Sequence, residues 1–268
     1  MFDRFNRKIN YLRISVTDRC NLRCIYCMPP HGVILKSRNR ILSYEEIVRI
    51  VREAVKCEIT KVRLTGGEPL VRKDICQLIR DLKTIKGLKE ITLTTNGILL
   101  ESMADELKNT GLDRINISLD TLDPKKYQEI TRGGDLDRVL KGIESVQKAG
   151  FTSTKLNMVL IPGLNDEDVN EIKDFCWENA LVLQRINHYS LNSRKNNQSD
   201  AKAERPLPCD FCNRIRLTAD GKLKPCLFSD QEIDVDFEDI AGSLRKAILN
   251  KPEQGQSCTI RGNWEIGG

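Results

Sequence analysis

Three cysteines, Cys20, Cys24 and Cys27, fall in the pattern C-x₃-C-x₂-C. Three thiolates so close can hold three irons of a [4Fe–4S] cube and leave the fourth iron open to a small molecule, as the open position does in other catalytic metal sites. The same triplet with a distant fourth ligand would also suit zinc. A second triplet, Cys209, Cys212 and Cys226, has the pattern C-x₂-C-x₁₃-C. Asp220-Gly221 between apolar runs inside it reads as a hairpin that brings these cysteines to one side. On bare spacing, this site admits either zinc, with Cys258 as a fourth ligand, or an iron–sulfur cluster. Cys57, Cys76 and Cys176 lie in helical patterns and are expected to pack as small apolar side chains.

The rest of the composition fits that chemistry. The chain has 268 residues, enough for one large domain or one with an appendage. No apolar run approaches the roughly 20 residues of a membrane span, and Met1 to Asn10 carries charge without an apolar signal core, so a cytoplasmic location is expected. In a reducing compartment, ten cysteines with six in two clusters point to metal ligation rather than disulfides. A net charge of +5 permits an anionic small-molecule substrate and gives no reason to invoke nucleic acid or membrane.

The elements that position these residues alternate. Strands are expected at 11–16, 60–65, 90–95, 114–119, 155–161 and 181–189, with amphipathic helices between them. Ser43 with Glu46 forms a capping box that opens a helix through Val55. Further helices are expected at 73–85, 136–149, 166–178 and 240–250. Six β-α repeats imply a parallel sheet with right-handed crossovers. An α/β fold in the form of a partial, open (β/α)₆ barrel is the simplest arrangement, and a flat doubly wound sheet has the same pattern. Either one places the site at the C-terminal strand ends. Asp18–Cys27, Gly66–Pro69, Thr94–Gly97 and Ser118–Asp120 follow the first four strands in that way. Residues 1–191 form the barrel; residues 192–268 hold a polar linker, the second cysteine module and a Gly-Gly tail.

The first triplet with Tyr26, followed by Thr65-Gly66-Gly67-Glu68-Pro69, resembles the radical S-adenosylmethionine superfamily. The run from Cys212 to Phe228, the segment Leu12 to Cys20 and the terminal Gly267-Gly268 are similar to the GTP 3′,8-cyclases of molybdenum cofactor synthesis. The resemblance implies two [4Fe–4S] clusters, on Cys20, Cys24 and Cys27 and on Cys209, Cys212 and Cys226. It implies S-adenosylmethionine bound by Tyr26, Gly66, Gly67, Glu68, Ser118 and Tyr189. It further implies GTP held by Arg13, Arg63, Thr94, Lys155, Arg214 and Arg216, of which Arg13, Arg214 and Arg216 would also be catalytic. A 5′-deoxyadenosyl radical would take the ribose 3′ hydrogen, and C3′ would bond to C8 of guanine. Permanent, planar Arg donors suit a triphosphate.

Three departures bear on the substrate. Gln184 stands where the family has an Arg, Tyr189 stands where it has Met, and the stretch 192–208 is short. A radical enzyme acting on another nucleotide or a peptide, and a zinc- or cluster-bound regulator, are the competing readings. The Gly-Gly-Glu-Pro segment argues against a regulator, which needs no cofactor cradle. An electron-donor protein follows from the resemblance, and a homodimer is compatible with it; the sequence itself is silent on both.

Overall fold

The computed structural model describes residues 1–188, 191 and 207–267. Six parallel strands, β1 (Tyr11–Ser15), β2 (Lys61–Thr65), β3 (Glu90–Thr95), β4 (Arg114–Ser118), β5 (Lys155–Leu160) and β6 (Val182–Asn187), lie side by side in chain order. Their boundaries agree with the sequence reading to within two residues. Between them run α1 (Tyr44–Lys56), α2 (Ile75–Lys83), α3 (Leu100–Asn109), α4 (Pro124–Thr131), α5 (Leu136–Lys148) and α6 (Val169–Glu178). The Ser43–Glu46 capping box is present, with the Ser43 hydroxyl accepting from the Glu46 N–H and the Glu46 carboxylate from the Ser43 N–H. The 166–178 segment opens with a 3₁₀ turn before α6 starts at Val169.

The second cysteine module adds strands to the same sheet. β7 (Arg214–Leu217) pairs with β1 in parallel, β8 (Lys222–Lys224) returns antiparallel to β7 through the Asp220-Gly221 turn, and β9 (Ile233–Asp234) follows. The chain ends with α7 (Ile240–Leu249) and the short α8 (Asn263–Ile266). The order is β6-β5-β4-β3-β2-β1-β7-β8-β9, an open sheet. Arg214, Asn157 and Gln184 nevertheless line one cavity, although β7 and β6 lie at opposite ends of the parallel run. At about 4.8 Å between neighbouring strands, a flat sheet would keep them far apart. The sheet therefore curls into a partial barrel.

Side-chain alternation explains which face does what. Leu12 and Ile14, Val62 and Leu64, Ile91 and Leu93, Ile115 and Ile117, Leu156 and Met158, and Ile215 and Leu217 are buried and form the layer under the helices. Each such side chain contributes about 1.5–3 kcal/mol by leaving water. The intervening residues include Arg13, Thr92, Asn116, Asn157 and Arg216, all buried and all polar. Parallel strands covered on both faces usually read as continuous apolar runs. These alternate because the inner face lines a polar chamber. Cys57, Cys76 and Cys176 are buried in the main core, as expected of small apolar side chains.

Candidate active site

Two adjoining cavities open on the inner face and share Asn157 and Ile186 as a common wall. The first is lined by Cys20, Cys24, Cys27, Tyr26, Gly66, Gly67, Glu68, Thr94, Ser118, His188 and Asn263, among others. The second is lined by Cys209, Cys212, Cys226, Arg13, Arg63, Arg214 and Arg216, among others.

Around the first triplet, the loops after β2, β3 and β4 are tied to the cysteine loop. Gly67 N–H donates to the Thr17 carbonyl and Glu68 N–H to the Arg19 carbonyl, each at 2.8 Å. A Cβ on Gly66 would lie 2.5 Å from the Thr17 oxygen, and one on Gly67 2.3 Å from the Arg19 oxygen. Gly66 also takes φ +149°, where glycine is favoured. The glycines thus let the loop after β2 dock on the backbone that leads into Cys20. The buried Glu68 carboxylate accepts from the Thr95 hydroxyl at 2.7 Å, the Asn96 N–H at 2.7 Å and the Leu70 N–H at 3.0 Å. Burial pushes its pKa up to about 7 against those three bonds. Asn96 reaches on to the Cys20 sulfur at 3.9 Å and to Asn21 Oδ1 at 2.8 Å. On the far side, the Tyr26 hydroxyl donates to Asp120 at 2.8 Å, and Asp120 also accepts from the Val159 N–H. Burial raises Asp120 to about 6, opposed by those two bonds.

Burial pushes the Cys20 thiol up to about 11 and the Cys27 thiol to about 12, the latter with help from Cys20, and holds Cys24 well above its ordinary value. At neutral pH such thiols lose their protons only when a cationic centre takes their place, which is the behaviour of a metal-dependent ligand set. Three soft thiolates lining one cavity fit three irons of an iron–sulfur cube. Among the described residues, no three His, Cys, Asp or Glu side chains converge on a single metal-ion position.

The second cavity is cationic. Cross-strand register places Arg63, Arg13 and Arg216 in one row on β2, β1 and β7, with Arg214 two residues before Arg216 on the same face of β7. Burial first, then the Arg216 and Arg63 guanidiniums, holds Arg13 well below the usual arginine range. Arg63 Nε donates to the Thr92 hydroxyl at 3.1 Å. Burial raises the Cys212 thiol, but Lys251 and Arg214 more than offset it and bring it down to about 7. Lys251 is buried and donates to the Arg214 and Pro225 carbonyls, each at 2.9 Å. Cys258 is fully buried in a small apolar cluster with Leu191, Phe228 and Ile266, against which Cys226 packs.

The chain's last described residues enter this chamber. Arg216 donates to the Ile266 carbonyl at 3.1 Å and the Gly267 carbonyl at 2.6 Å. A Cβ on Gly267 would lie 2.2 Å from the Thr65 side chain. A charge network holds the tail there. Arg261 grips both Glu232 oxygens at 2.8 Å and reaches Asp220 at 3.0 Å and Glu265 at 3.1 Å, and Lys36 joins Asp220 and Glu265.

Most of the residues singled out from sequence therefore meet in two adjoining cavities, although Thr94 lies in the cavity of the first triplet rather than among the arginines. Lys155 sits one side-chain repeat before Asn157 on β5 and lines neither cavity. Gln184 lines the arginine cavity. Tyr189 and the stretch 192–206 lie outside the described residues. Lys251, Arg261 and Asn263 went unnoticed in the sequence. Each is a common residue with no motif spacing, and only the fold brings it to the site.

An open βα sheet with a three-cysteine loop after β1 and a docked Gly-Gly loop after β2 is the architecture of a radical S-adenosylmethionine enzyme. Residues 14–176 match the Radical SAM superfamily model and residues 174–255 the Molybdenum Cofactor Synthesis C model. The fold is shared with Streptococcus suis SuiB bound to S-adenosylmethionine (TM-score 0.68, 19% identity, 89% of this chain and 68% of that one). It is also shared with native anSMEcpe with bound AdoMet (TM-score 0.65, 18% identity, 91% and 81%).

In sequence, the chain is 43% identical to GTP 3′,8-cyclase of Peptoclostridium acidaminophilum over 95% of its length and 93% of the relative's. It is 40% identical to that of Alkaliphilus oremlandii over 100% of both. The chain belongs to the GTP 3′,8-cyclase family of radical S-adenosylmethionine enzymes. The second alignment runs over 320 residues, longer than this chain's 268, so the relative carries residues that this chain lacks.

Proposed function

We propose that the chain catalyses the radical cyclisation of GTP, joining ribose C3′ to guanine C8, with Cys20, Cys24 and Cys27 holding the cluster that binds S-adenosylmethionine and Cys209, Cys212 and Cys226 holding a second [4Fe–4S] cluster. The observation that carries this reading is the row Arg63, Arg13, Arg216 facing the second triplet across one cavity. Guanidiniums brought together on the wall of one cavity suit a polyanion, and planar donors suit phosphate. When bound, the cluster and S-adenosylmethionine supply reductive C–S cleavage and a 5′-deoxyadenosyl radical. The chain's own residues do the positioning. Tyr26, Gly66, Gly67, Glu68 and Ser118 shape the cofactor cavity, with Glu68 and Asp120 fixing the loops around it. Arg13, Arg63, Arg214 and Arg216 hold the nucleotide, and Thr94 faces it from the adjoining cofactor cavity. By sequence position alone, Lys155 is assigned to the nucleotide and Tyr189 to the cofactor. The low Cys212 thiol, set between Lys251 and Arg214, is ready to ligate iron at neutral pH. Residues 1–191 supply the first cysteine triplet and residues 192–268 the second, and both segments line each cavity. A separate protein delivers the electron, and the enzyme works in the cytoplasm; among the described residues no helix is long and apolar enough to cross a membrane.

The test is anaerobic reconstitution, followed by incubation with S-adenosylmethionine, reductant and GTP. About eight irons per chain, GTP-dependent 5′-deoxyadenosine and a cyclised nucleotide are expected, since each cube holds four irons. Cys24→Ser abolishes cofactor cleavage, whereas Cys212→Ser spares it and stops the cyclisation. Cleavage with no GTP turnover would move the activity to another nucleotide or a peptide. Zinc with no cleavage would refute the reading entirely.

A further inference from the structure

Asn263 is the first residue of α8, in the tail, yet it lines the cavity of the first cysteine triplet. Its Nδ2 donates to the Tyr26 carbonyl at 3.3 Å, between Cys24 and Cys27. Its Oδ1 is buried and has no hydrogen-bond partner among the described residues. A buried amide oxygen without a donor costs about 1–3 kcal/mol, so such an atom in a ligand cavity marks where a ligand's donor belongs. The arm that brings it there is fixed by the Arg261 network and by Arg216, which holds the carbonyls of Ile266 and Gly267. The surrounding wall suits a flat ring: Ile186 and Val159 are apolar, and Tyr26 and His188 meet edge to face with centroids 6.4 Å apart. An asparagine amide offers one acceptor and, beyond the proton given to Tyr26, one further donor. That pair matches the amine and ring nitrogen of an adenine edge, the pairing asparagine makes with adenine elsewhere.

Resting on the proposed function, we infer that Asn263 is a cofactor-binding residue whose amide reads the adenine of S-adenosylmethionine: Oδ1 accepts from the exocyclic amine and Nδ2 donates to the adjacent ring nitrogen. The tail thereby touches both ligands, the nucleotide site through Arg216 and the cofactor through Asn263.

The test compares S-adenosylmethionine with S-inosylmethionine, which carries a carbonyl in place of the amine. Both are titrated into the reconstituted full-length protein and followed by equilibrium dialysis and by the change in the EPR signal of the reduced cluster. Wild type is expected to prefer the adenine form at least tenfold. N263A should bind S-adenosylmethionine about tenfold more weakly, from the loss of one bidentate pair, and discriminate less than threefold. N263D keeps an acceptor oxygen in place and should still prefer adenine. The ratio is read only from protein that binds, so partial misfolding lowers the number of sites and not the preference. N263A with wild-type affinity or wild-type discrimination overturns the assignment alone. Loss of iron from N263A overturns it too, placing Asn263 in support of the cysteine loop through Tyr26. Wild-type protein that binds no S-adenosylmethionine overturns the proposed function and this inference together.

Discussion

Gly67→Ala is the sharpest test of how the cofactor cavity is assembled. Gly67 does not have a positive φ, so alanine brings no backbone strain of its own. Its Cβ would sit 2.3 Å from the Arg19 oxygen and 2.6 Å from the Arg19 carbonyl carbon. Ordinary contact begins at 3.4 Å, so the two backbones must part by about 1 Å, and no rotamer change can relieve a backbone–backbone clash. The separation lengthens the Gly67–Thr17 and Glu68–Arg19 bonds, both 2.8 Å. Two weakened bonds at about 1 kcal/mol each, plus about 1–3 kcal/mol of overpacking, make a loss of about 3–5 kcal/mol. At ~2–4 °C per kcal/mol for a chain of this size, the cluster-free protein should melt roughly 6–20 °C lower. Arg19 adjoins Cys20, so iron on the first triplet should fall while iron on the second is kept. Calorimetry of cluster-free G67A reads the stability loss; iron analysis of G67A in a Cys212→Ser background reads the first triplet alone, and in a Cys24→Ser background the second. A melting point and iron content equal to those of the parent would refute the docking account.

Other perturbations separate the remaining contributions. Arg13→Met should abolish GTP-dependent thermal stabilisation; a melting point that still rises with GTP would contradict it. Arg261→Ala leaves Asp220 and Glu265 only Lys36 and Glu232 only Lys224 as cationic partners, and should lower stability by about 3 kcal/mol and open the C-terminal tail to limited proteolysis; an unchanged digestion pattern would count against the latch. Glu68 has a folded-state pKa near 7 against an ordinary 4.5, so the unfolded chain gives up its proton first as pH rises. Stability of the cluster-free protein should fall between pH ~4.5 and 7, by up to roughly 3 kcal/mol from this group. Glu68→Gln should flatten that slope in pH-dependent denaturation, and an unaltered slope would show that Glu68 does not set it.

The strands were legible because their alternation was clean. Leu12, Ile14, Val62 and Leu64 face the helices while Arg13 and Arg63 face the chamber, and periodicity registers that directly. The cysteine triplets were legible from spacing. What stayed hidden needed contacts distant in sequence. Gly66 and Gly67 read as glycines that admit a ligand, whereas the structure shows them admitting the Thr17–Arg19 backbone. β7 read as part of a separate hairpin, because nothing local to Arg214–Leu217 announces a parallel partner near the N-terminus. Lys251, Arg261 and Asn263 sit in segments without periodicity and acquire their surroundings only from tertiary packing.

The pairing of β1 with β7 has a consequence for how the enzyme is made. Leu12 and Ile215 are register partners, so the first strand leaves the ribosome long before the neighbour that covers one of its edges. During synthesis that edge stays open, and an open edge is where a strand recruits the wrong partner. The row of Arg63, Arg13 and Arg216 exists only once nearly the whole chain has emerged, since Arg216 completes it. A nascent chain truncated before β7 would carry all three cysteines of the first triplet and still lack the complete arginine row proposed to hold the nucleotide.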